Sequence, residues 1–562
     1  MDRRLRFGRL ALLGALVGLL WTVPLVVVLW LGDRVAGLSF PPFDLFDRVT
    51  GALPGAVVTF GIDSMISLLR GIGLNVADTA KLAERSMAIG QFVVGGAVVG
   101  ALVFAFFGRR LARQRDASAG GSWGGPWIVV GLVVGALAGL APTWASLTAG
   151  GATAGPWLSG LWLAVLFLDW GMALTWSVRR TVPSGVATAT EGVGAVGGEE
   201  LVAVPIDRRR FLVRVGALSA SVTVAGAAVA TLLARTTRSG GGAAAVRRTE
   251  TGKGTPFPNL GDPVKPAPGT RPEYTPVADH YEVYIHAQPP TVDGATWVLP
   301  VTGMVERPLR LTLDEIRSRY AVHDRFNTIS CISGRVGTSL ISTTQWTGAL
   351  LTDVLDDAGV QDGATYLNIT SADGYHETVP LDLVREDGRL LLCYEWDGSP
   401  LPVGHGFPLR IWIPNRYGMK QPKWITGIEV TDQYHAGYWV ERGWDRYALV
   451  KETSVVDTVA VDAAYRDGGR TLVPVGGIAW AGDRGISKVE VRVDGGAWQA
   501  ARLRAPLSDT TWVIWRYDWP MEGGEHRFEV RCVDGSGKPQ IEETHGNRPS
   551  GATGIDELTA KV

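Results

Sequence analysis

Five long apolar runs organise the first part of this 562-residue chain: positions 10–31, 88–107, 127–147, 155–177 and 211–234. Each is rich in Gly, Ala, Val and Leu, and each meets the about 20 residues that a helix needs to cross a bilayer core. A sixth stretch, 52–69, reads ALPGAVVTFGIDSMISLL. Pro54, Gly61 and Asp63 interrupt it, and a charge at mid-membrane is expensive, so it reads as an interfacial or re-entrant element.

Charge placement orders these runs. The N-terminal MDRRLRFGR, the Arg109–Arg115 loop and the segment holding Arg179, Arg180 and Arg208 to Arg210 all belong on the cytoplasmic side by the positive-inside tendency. Five spans satisfy all three, while a sixth at 52–69 would misplace Arg109–Arg115. Everything after residue 235 is then expected outside the cytoplasm, against the counterweight of Arg235, Arg238, Arg247 and Arg248. The last span opens on DRRRFLVR (Asp207 to Arg214), which resembles a twin-arginine export signal placed internally; the plain alternative is a basic flank on a membrane helix. Residues 235–275, rich in Gly and Pro without apolar periodicity, read as a mobile or extended linker.

Beyond it the pattern changes period. Segments 296–303, 325–330, 365–370, 376–381, 390–396 and 409–414 read as strands, β-branched or aromatic and bounded by turn residues. Short helices fit 311–320, with Thr312 and Glu315 as a capping box, and 348–359, ending at Gly359. This is an α+β pattern. From about 450 onward, short strands separated by Gly/Asp turns predict an all-β sandwich for packing, interaction or dimerisation.

Composition narrows the function. The chain is 46% hydrophobic and 19% charged, with a net charge of -1, which gives no reason to expect a nucleic-acid partner. Its mean hydropathy is +0.12. The three cysteines, Cys331, Cys393 and Cys532, match no zinc, iron–sulfur or disulfide framework. Dinucleotide and nucleotide loops are absent. The first histidine is His280, so the spans cannot ligate haem through histidine pairs, and electrons must pass to a separate carrier.

Two segments carry candidate chemistry. NTISCISGRVG places Cys331 at a strand end before Ser333, Gly334 and Arg335, well set for a soft metal or an electrophile; a plain buried cysteine is the alternative. HGFPLRIWIPNRYGMKQPKW (405–424) gathers His405, Arg410, Arg416, Lys420 and Lys423. That is a plausible phosphate cradle, against the alternative of a solvated basic loop.

The strand-ending cysteine, ISTTQWTGALLTDVLDDAGV (341–360), GYHETVPL (374–381) and the run 391–430 together resemble the sulfite oxidase family and its bacterial membrane-associated relatives. The resemblance implies an N-terminal α-helical transmembrane domain (1–235), a linker (236–276), an α+β molybdopterin-binding domain (277–445) and an all-β immunoglobulin-like, dimerisation-type domain (446–562). It implies one molybdenum-bearing molybdopterin (single pterin), with Cys331 as metal ligand. His405 and Arg410 would hold the pterin phosphate, helped by Lys420 and Lys423. Arg335 falls near a family arginine and His286 on a family histidine. Tyr284 stands where sulfite-oxidising relatives carry an arginine, and Trp444 where they carry a tyrosine. CISGR replaces their Cys-x-Gly-Asn-Arg. The expected partners are a small-molecule substrate, membrane lipid, a separate electron carrier (cytochrome, quinone or membrane redox subunit) and a second copy in a homodimer. Two rival readings stand beside it: a non-catalytic membrane-anchored binding or assembly protein reusing the fold, and a cysteine hydrolase pairing Cys331 with His286 or His323.

Overall fold

The computed structural model describes residues 3–54, 57–58, 60–61, 64–65, 76–115, 125–149, 154–181, 208–237 and 250–562. They fall into two compact units. One holds the described residues of Met1–Leu53, Ala80–Ala243 and His286–Thr291, and the other those of Pro54–Thr79, Ala244–Ile285 and Val292–Val562.

The first unit is helical: α1 (Arg3–Ala36), α2 (Pro41–Ala52), most of α3 (Val76–Arg115), α4 (Gly125–Ala149), α5 (Pro156–Thr181) and α6 (Arg208–Thr237). Among the described residues, four stretches are long and apolar enough to cross a membrane: Gly8–Ala36, Lys81–Phe107, Trp127–Ala149 and Pro156–Thr181. The fifth apolar run of the sequence is also a helix, α6, part of whose side chains lie outside the described residues. The basic stretch expected as a loop after the second span continues α3 as far as Arg115. The re-entrant reading of 52–69 and the residue Asp207 lie mostly or wholly outside the described residues. Helix α2, inside a segment expected only as an exterior loop, opens on Pro41 and Pro42, which suit a helix's first turn.

Close backbone approach holds the helices together. A Cβ on Gly14 would strike the Gly100 carbonyl of α3, and one on Gly18 the Gly96 carbonyl. Two glycines four apart on each helix thus form one face, the small-residue packing that works in lipid, where burying more apolar surface gains little. Polar side chains are satisfied internally. Thr22 Oγ1 donates to the Gly18 carbonyl (2.7 Å) and accepts from Trp170 Nε1 (3.2 Å), and Trp21 Nε1 donates to Ser177 Oγ (3.0 Å). Outward-facing Leu12, Leu102, Leu137 and Leu161 are exposed, an apolar exterior that suits a lipid surround.

The second unit begins with β1 (Val298–Gly303), β2 (Leu309–Thr312), α7 (Leu313–Arg319), β3 (His323–Ser330), β4 (Ile341–Leu350) and α8 (Leu351–Ala358). β5 (Tyr366–Ser371), β6 (His376–Pro380), α9 (Leu381–Glu386), β7 (Leu391–Trp396), β8 (Ser399–Pro400), β9 (Arg410–Trp412) and β10 (Ile425–Thr431) follow. One sheet runs β2-β1-β10-β5-β6, with β1 and β10 parallel; the other runs β3-β4-β7-β8, with β9 on β7. Strand β4 corrects the sequence reading, which carried a helix back to residue 348. All but the last of its residues are buried. With both faces covered, no alternation of polar and apolar side chains survives to be read. The capping box predicted at Thr312 and Glu315 is present.

The C-terminal part holds β11 (Thr453–Val459), β12 (Tyr465–Asp467), β13 (Arg470–Trp480), β14 (Ile486–Val493), β15 (Gln499–Ala500), β16 (Arg502–Leu503), β17 (Val513–Pro520), β18 (Glu525–Asp534) and β19 (Asp556–Lys561). They form two sheets, β11-β13-β17-β16 and β15-β14-β18-β19. Val473, Val475 and Trp515 of one sheet bury a common core with Val489, Phe528 and Val530 of the other. A further cluster joins Ile332, Tyr417 and Trp444 to Val455, Ile478 and Trp480, so the two β regions share a core.

The linker expectation needs correction over residues 250–276, while 238–249 lie outside the described residues. The stretch is extended but packed. Phe257 and Tyr274 are buried with Leu507 against Phe326. Arg504 binds Glu273 (2.9 Å), and Arg271 binds Asp457 (2.6 Å). Proline removes regular hydrogen bonding from such a segment, yet leaves its aromatic side chains free to bury. Phe257→Ala should therefore cost about 3–5 kcal/mol of unfolding free energy, measured by chemical denaturation followed in the far ultraviolet. A midpoint equal to that of the unmodified chain would mean that the segment is loose.

Candidate functional site

Strands β3 and β4 pair from His323↔Gly348 to Ser330↔Ile341, and the Cys331 amide extends the ladder by donating to the Leu340 carbonyl (2.9 Å). Cys331 thus opens the loop 331–340 from a fixed base. Its Sγ lies 3.0 Å from Ser333 Oγ. Asn547 Nδ2 donates to the Ser333 carbonyl (2.6 Å), so the C-terminal region pins this loop. That region braces β3 as well. Ser508 Oγ donates to the Phe326 carbonyl (2.6 Å), and the Trp512 amide donates to Thr328 Oγ1 (3.1 Å).

The three cysteines differ in setting. Cys393 and Cys532 are fully buried in hydrophobic cores, and burial pushes both thiols up to about 12. Cys331 is part-exposed on a cleft of about 450 Å³ whose walls include Arg335, Thr338, Tyr417, Lys451 and Trp480. Burial raises its pKa too, but the hydrogen bonding at Ser333 and the positive charge of Lys423 oppose the rise. The plain buried cysteine therefore describes Cys393 and Cys532 rather than Cys331.

A cationic and aromatic cluster forms around β9 and the segment before β1. The Arg410 guanidinium packs against Trp346 (4.7 Å to the ring centre) and Trp396 (4.9 Å), whose own ring centres are 4.8 Å apart, and its Nη1 donates to the His405 carbonyl (3.0 Å). Its Nε is buried without a partner, and it makes no ion pair among the described residues. The His280 ring lies 4.3 Å from Trp396 and 5.2 Å from His405, with Nε2 unsatisfied. Lys423 Nζ donates to the carbonyls of Gly404 (2.9 Å) and Val283 (3.0 Å) and sits over the rings of Trp424 and Tyr284. The carboxylate at this cluster belongs to exposed Glu282, 3.8 Å from His405 Nε2. Tyr281 feels the charges of both Cys331 and Arg410, which places it between thiol and cluster.

The structure brings together some of the residues singled out in the sequence and separates others. Cys331 and Arg335 share the cleft; His405, Arg410, Lys423 and Tyr284 share the cluster. Lys420 leaves it, because its ammonium is buried in an ion pair with Glu377. His286 belongs to the helical unit, where Lys81 Nζ donates to its carbonyl (2.7 Å). Trp444 is buried beside Ile332 and Tyr417 with Arg548 over its ring, and neither Trp444 nor Tyr284 lines the cleft; its aromatic walls are Tyr417 and Trp480. His323 starts the strand that Cys331 follows, about 26 Å away along it. At that distance His323 gives the hydrolase reading no base beside its thiol. Sequence reasoning missed His280, Trp346, Trp396 and Lys451. Only the density of histidines and tryptophans around 280 and 396 could have signalled them.

These groups fit a pterin cofactor bearing a phosphate and a soft metal. A buried guanidinium with an orphan nitrogen and no carboxylate calls for an anion. A part-exposed thiol hydrogen-bonded to a hydroxyl supplies a soft donor.

The family model for the oxidoreductase molybdopterin binding domain matches residues 286–439. Mitochondrial sulfite oxidase of Homo sapiens is 27% identical over 291 residues, covering 44% of this chain and 53% of that protein. The chain therefore spans about half the length of the first curated relatives it matches. An uncharacterized oxidoreductase of Bacillus subtilis, YuiH, is 32% identical over 152 residues, covering 27% of this chain and 74% of that protein. Nitrate reductase [NADH] 1 of Oryza sativa subsp. japonica is 27% identical over 334 residues, covering 48% of this chain and 36% of that protein. Among solved structures, the sulfane dehydrogenase SoxCD from Paracoccus pantotrophus aligns with a TM-score of 0.44 at 21% identity, covering 51% of this chain and 81% of that one.

Burial and the neighbouring Arg410 hold His280 neutral, lowering its pKa from 6.5 to about 3. His405 is lowered likewise, by burial and then by His280, Lys423 and Arg410. The unfolded chain binds these protons first. Their contribution to stability is complete above the unfolded pKa near 6.5 and is lost as pH falls toward the folded value, at up to about 1.4 kcal/mol per pH unit for each histidine. Between pH 7 and pH 4.5, cofactor-free protein should lose stability, and His280→Gln should lose roughly 2 kcal/mol less, read from denaturant midpoints. Equal losses in the two proteins would contradict a buried neutral His280.

Proposed function

Because the chain belongs to the sulfite-oxidase-like family of molybdopterin-binding oxidoreductases, we propose that it is a molybdenum-dependent oxidoreductase. Its reaction is oxygen-atom transfer to or from a small oxyanion, sulfoxide or related molecule, with electrons exchanged with a separate carrier. The observation that carries this reading is the pairing of a part-exposed Cys331 thiol with the buried Arg410 guanidinium, which has an orphan Nε and makes no ion pair among the described residues.

When bound, the molybdenum–pterin group supplies reversible two-electron chemistry at an oxygen-accepting metal. Cys331 would hold the metal as a thiolate. Ser333 Oγ would donate to its sulfur, and the Lys423 charge would favour its ionised form. His405, Arg410 and Lys423 would hold the phosphate, with the two indoles fixing the guanidinium plane. Arg335 and Lys451 place positive charge on the cleft beside the thiol, suited to drawing an anion in.

The four apolar stretches would seat the chain in the cytoplasmic membrane as a multi-pass protein. Following the arginine distribution, the redox region would face the extracytoplasmic side, delivered folded with its cofactor through the twin-arginine-like segment at Asp207 to Arg214. The C-terminal β region would act as an immunoglobulin-like domain and a homodimer contact.

Protein matured with an intact cofactor supply should carry about one molybdenum per chain, as expected of a retained metal site. Cys331→Ser should abolish turnover of a panel of sulfite, sulfoxides and N-oxides with an artificial electron carrier, while its melting temperature is kept. A metal-free protein would point instead to a binding or assembly role. Arg335→Gln and Lys451→Gln should each raise KM for an anionic substrate roughly tenfold and leave a neutral sulfoxide's KM unchanged. Equal effects on both substrates would remove the two residues from anion capture.

A further inference from the structure

The basic segment 405–424 does not serve one place. His405, Arg410 and Lys423 converge on the cluster described above, whereas Arg416 and Lys420 line a second, shallow cavity. It lies beside β6, the edge strand of the β2-β1-β10-β5-β6 sheet, and Arg446, Tyr434 and Tyr447 share its walls with Thr378 and the apolar Val379, Pro380, Leu383 and Ile413.

Three cations reach this cavity from two stretches of chain, Arg416 and Lys420 from 405–424 and Arg446 from beyond β10, and the carboxylate they meet is that of Glu377. Glu377 is already committed: it binds the Lys420 ammonium and accepts from the Thr378 amide (2.9 Å). Arg416 and Arg446 each act on the Lys420 charge, and neither forms an ion pair among the described residues. Arg416 spends one donor on the Asn415 carbonyl (3.2 Å). Arg446 spends one on Tyr366 Oη (3.4 Å) and stacks its guanidinium on Tyr434 at 3.8 Å. Stacking occupies the face of a guanidinium and leaves its remaining in-plane N–H groups free. The more distant acids are engaged elsewhere: Asp387 and Asp483 bind Arg389, and Asp445 accepts from the Tyr447 and Ala448 amides.

We propose that this cavity binds a small oxyanion of the sulfate, phosphate or carboxylate class, at a site distinct from the Cys331 cleft and from the His405–Arg410–Lys423 cluster. Two unpaired guanidiniums and an ammonium on one concave surface leave an excess of positive charge over Glu377. The tyrosine walls lower the local dielectric, so an anion seated there makes charge-assisted hydrogen bonds without competing carboxylates.

The test is calorimetric titration of the full-length, cofactor-loaded protein with sulfate, phosphate and acetate at fixed ionic strength. Saturable binding is expected, weakened roughly tenfold or more by Arg446→Gln and by Arg416→Gln, with Arg416→Lys retaining part of the affinity. Arg446 is exposed, so its variant should keep the parent's melting temperature and molybdenum content. Absence of saturable binding overturns the proposal, as does binding that survives both arginine variants and is lost in Lys423→Gln. The titration reads anion occupancy rather than turnover, so it can fail while the oxidoreductase reading stands, and the reverse.

Discussion

A guanidinium buried against two indoles, with no ion-pair partner among the described residues, is the constraint around which the redox region is arranged. Arg410 could not stay in so dry a place unless something repaid its desolvation. The His405 carbonyl and the faces of Trp346 and Trp396 repay part. His280 and His405 stay neutral beside it because burial, and after burial the neighbouring positive charges, disfavour their protonation. Trp346 of β4 pairs with Trp396 of β7, while Arg410 of β9 pairs with Cys393, three residues before Trp396, so one sheet carries the cation and both of its aromatic neighbours.

The same sheet carries Cys331, and here the C-terminal region matters more than its sequence announced. Its repeated turns foretold strands and nothing chemical. In the fold it pins the Cys331 loop through Asn547, braces β3 through Ser508 and Trp512, and lends Lys451 and Trp480 to the cleft. Such roles belong to loop ends and to contacts far apart in the chain, which local periodicity does not encode.

How much could be read in advance follows the same division. Apolar runs long enough for a bilayer were plain, because membrane helices must satisfy their backbone internally and show it in composition. The strands with one covered face were also legible. Strand β4 was not, since covering both faces erased its alternation. The packed run 250–276 looked like a tether because Gly and Pro dominate its composition, while two aromatic side chains decide its fate. Motif and resemblance pointed to Cys331, His405, Arg410 and Lys423, and the last three lie in one cationic cluster. Resemblance also led to His286, whose backbone the helical unit holds, and away from His280, six residues earlier, which the cluster keeps.

The placing of the three cysteines has a consequence for how the chain would meet oxidation. Cys393 pairs with Gly348, at the opposite end of β4 from the residue that abuts Cys331, a separation of about 23 Å along the strand. Cys532 is sealed in the core between the two C-terminal sheets. A disulfide needs Cα atoms within roughly 7 Å, so no intramolecular partner can capture the Cys331 sulfur while the chain is folded. A chain that leaves the cytoplasm already folded would keep that thiol in reserve for a metal, protected from oxidative pairing by distance alone.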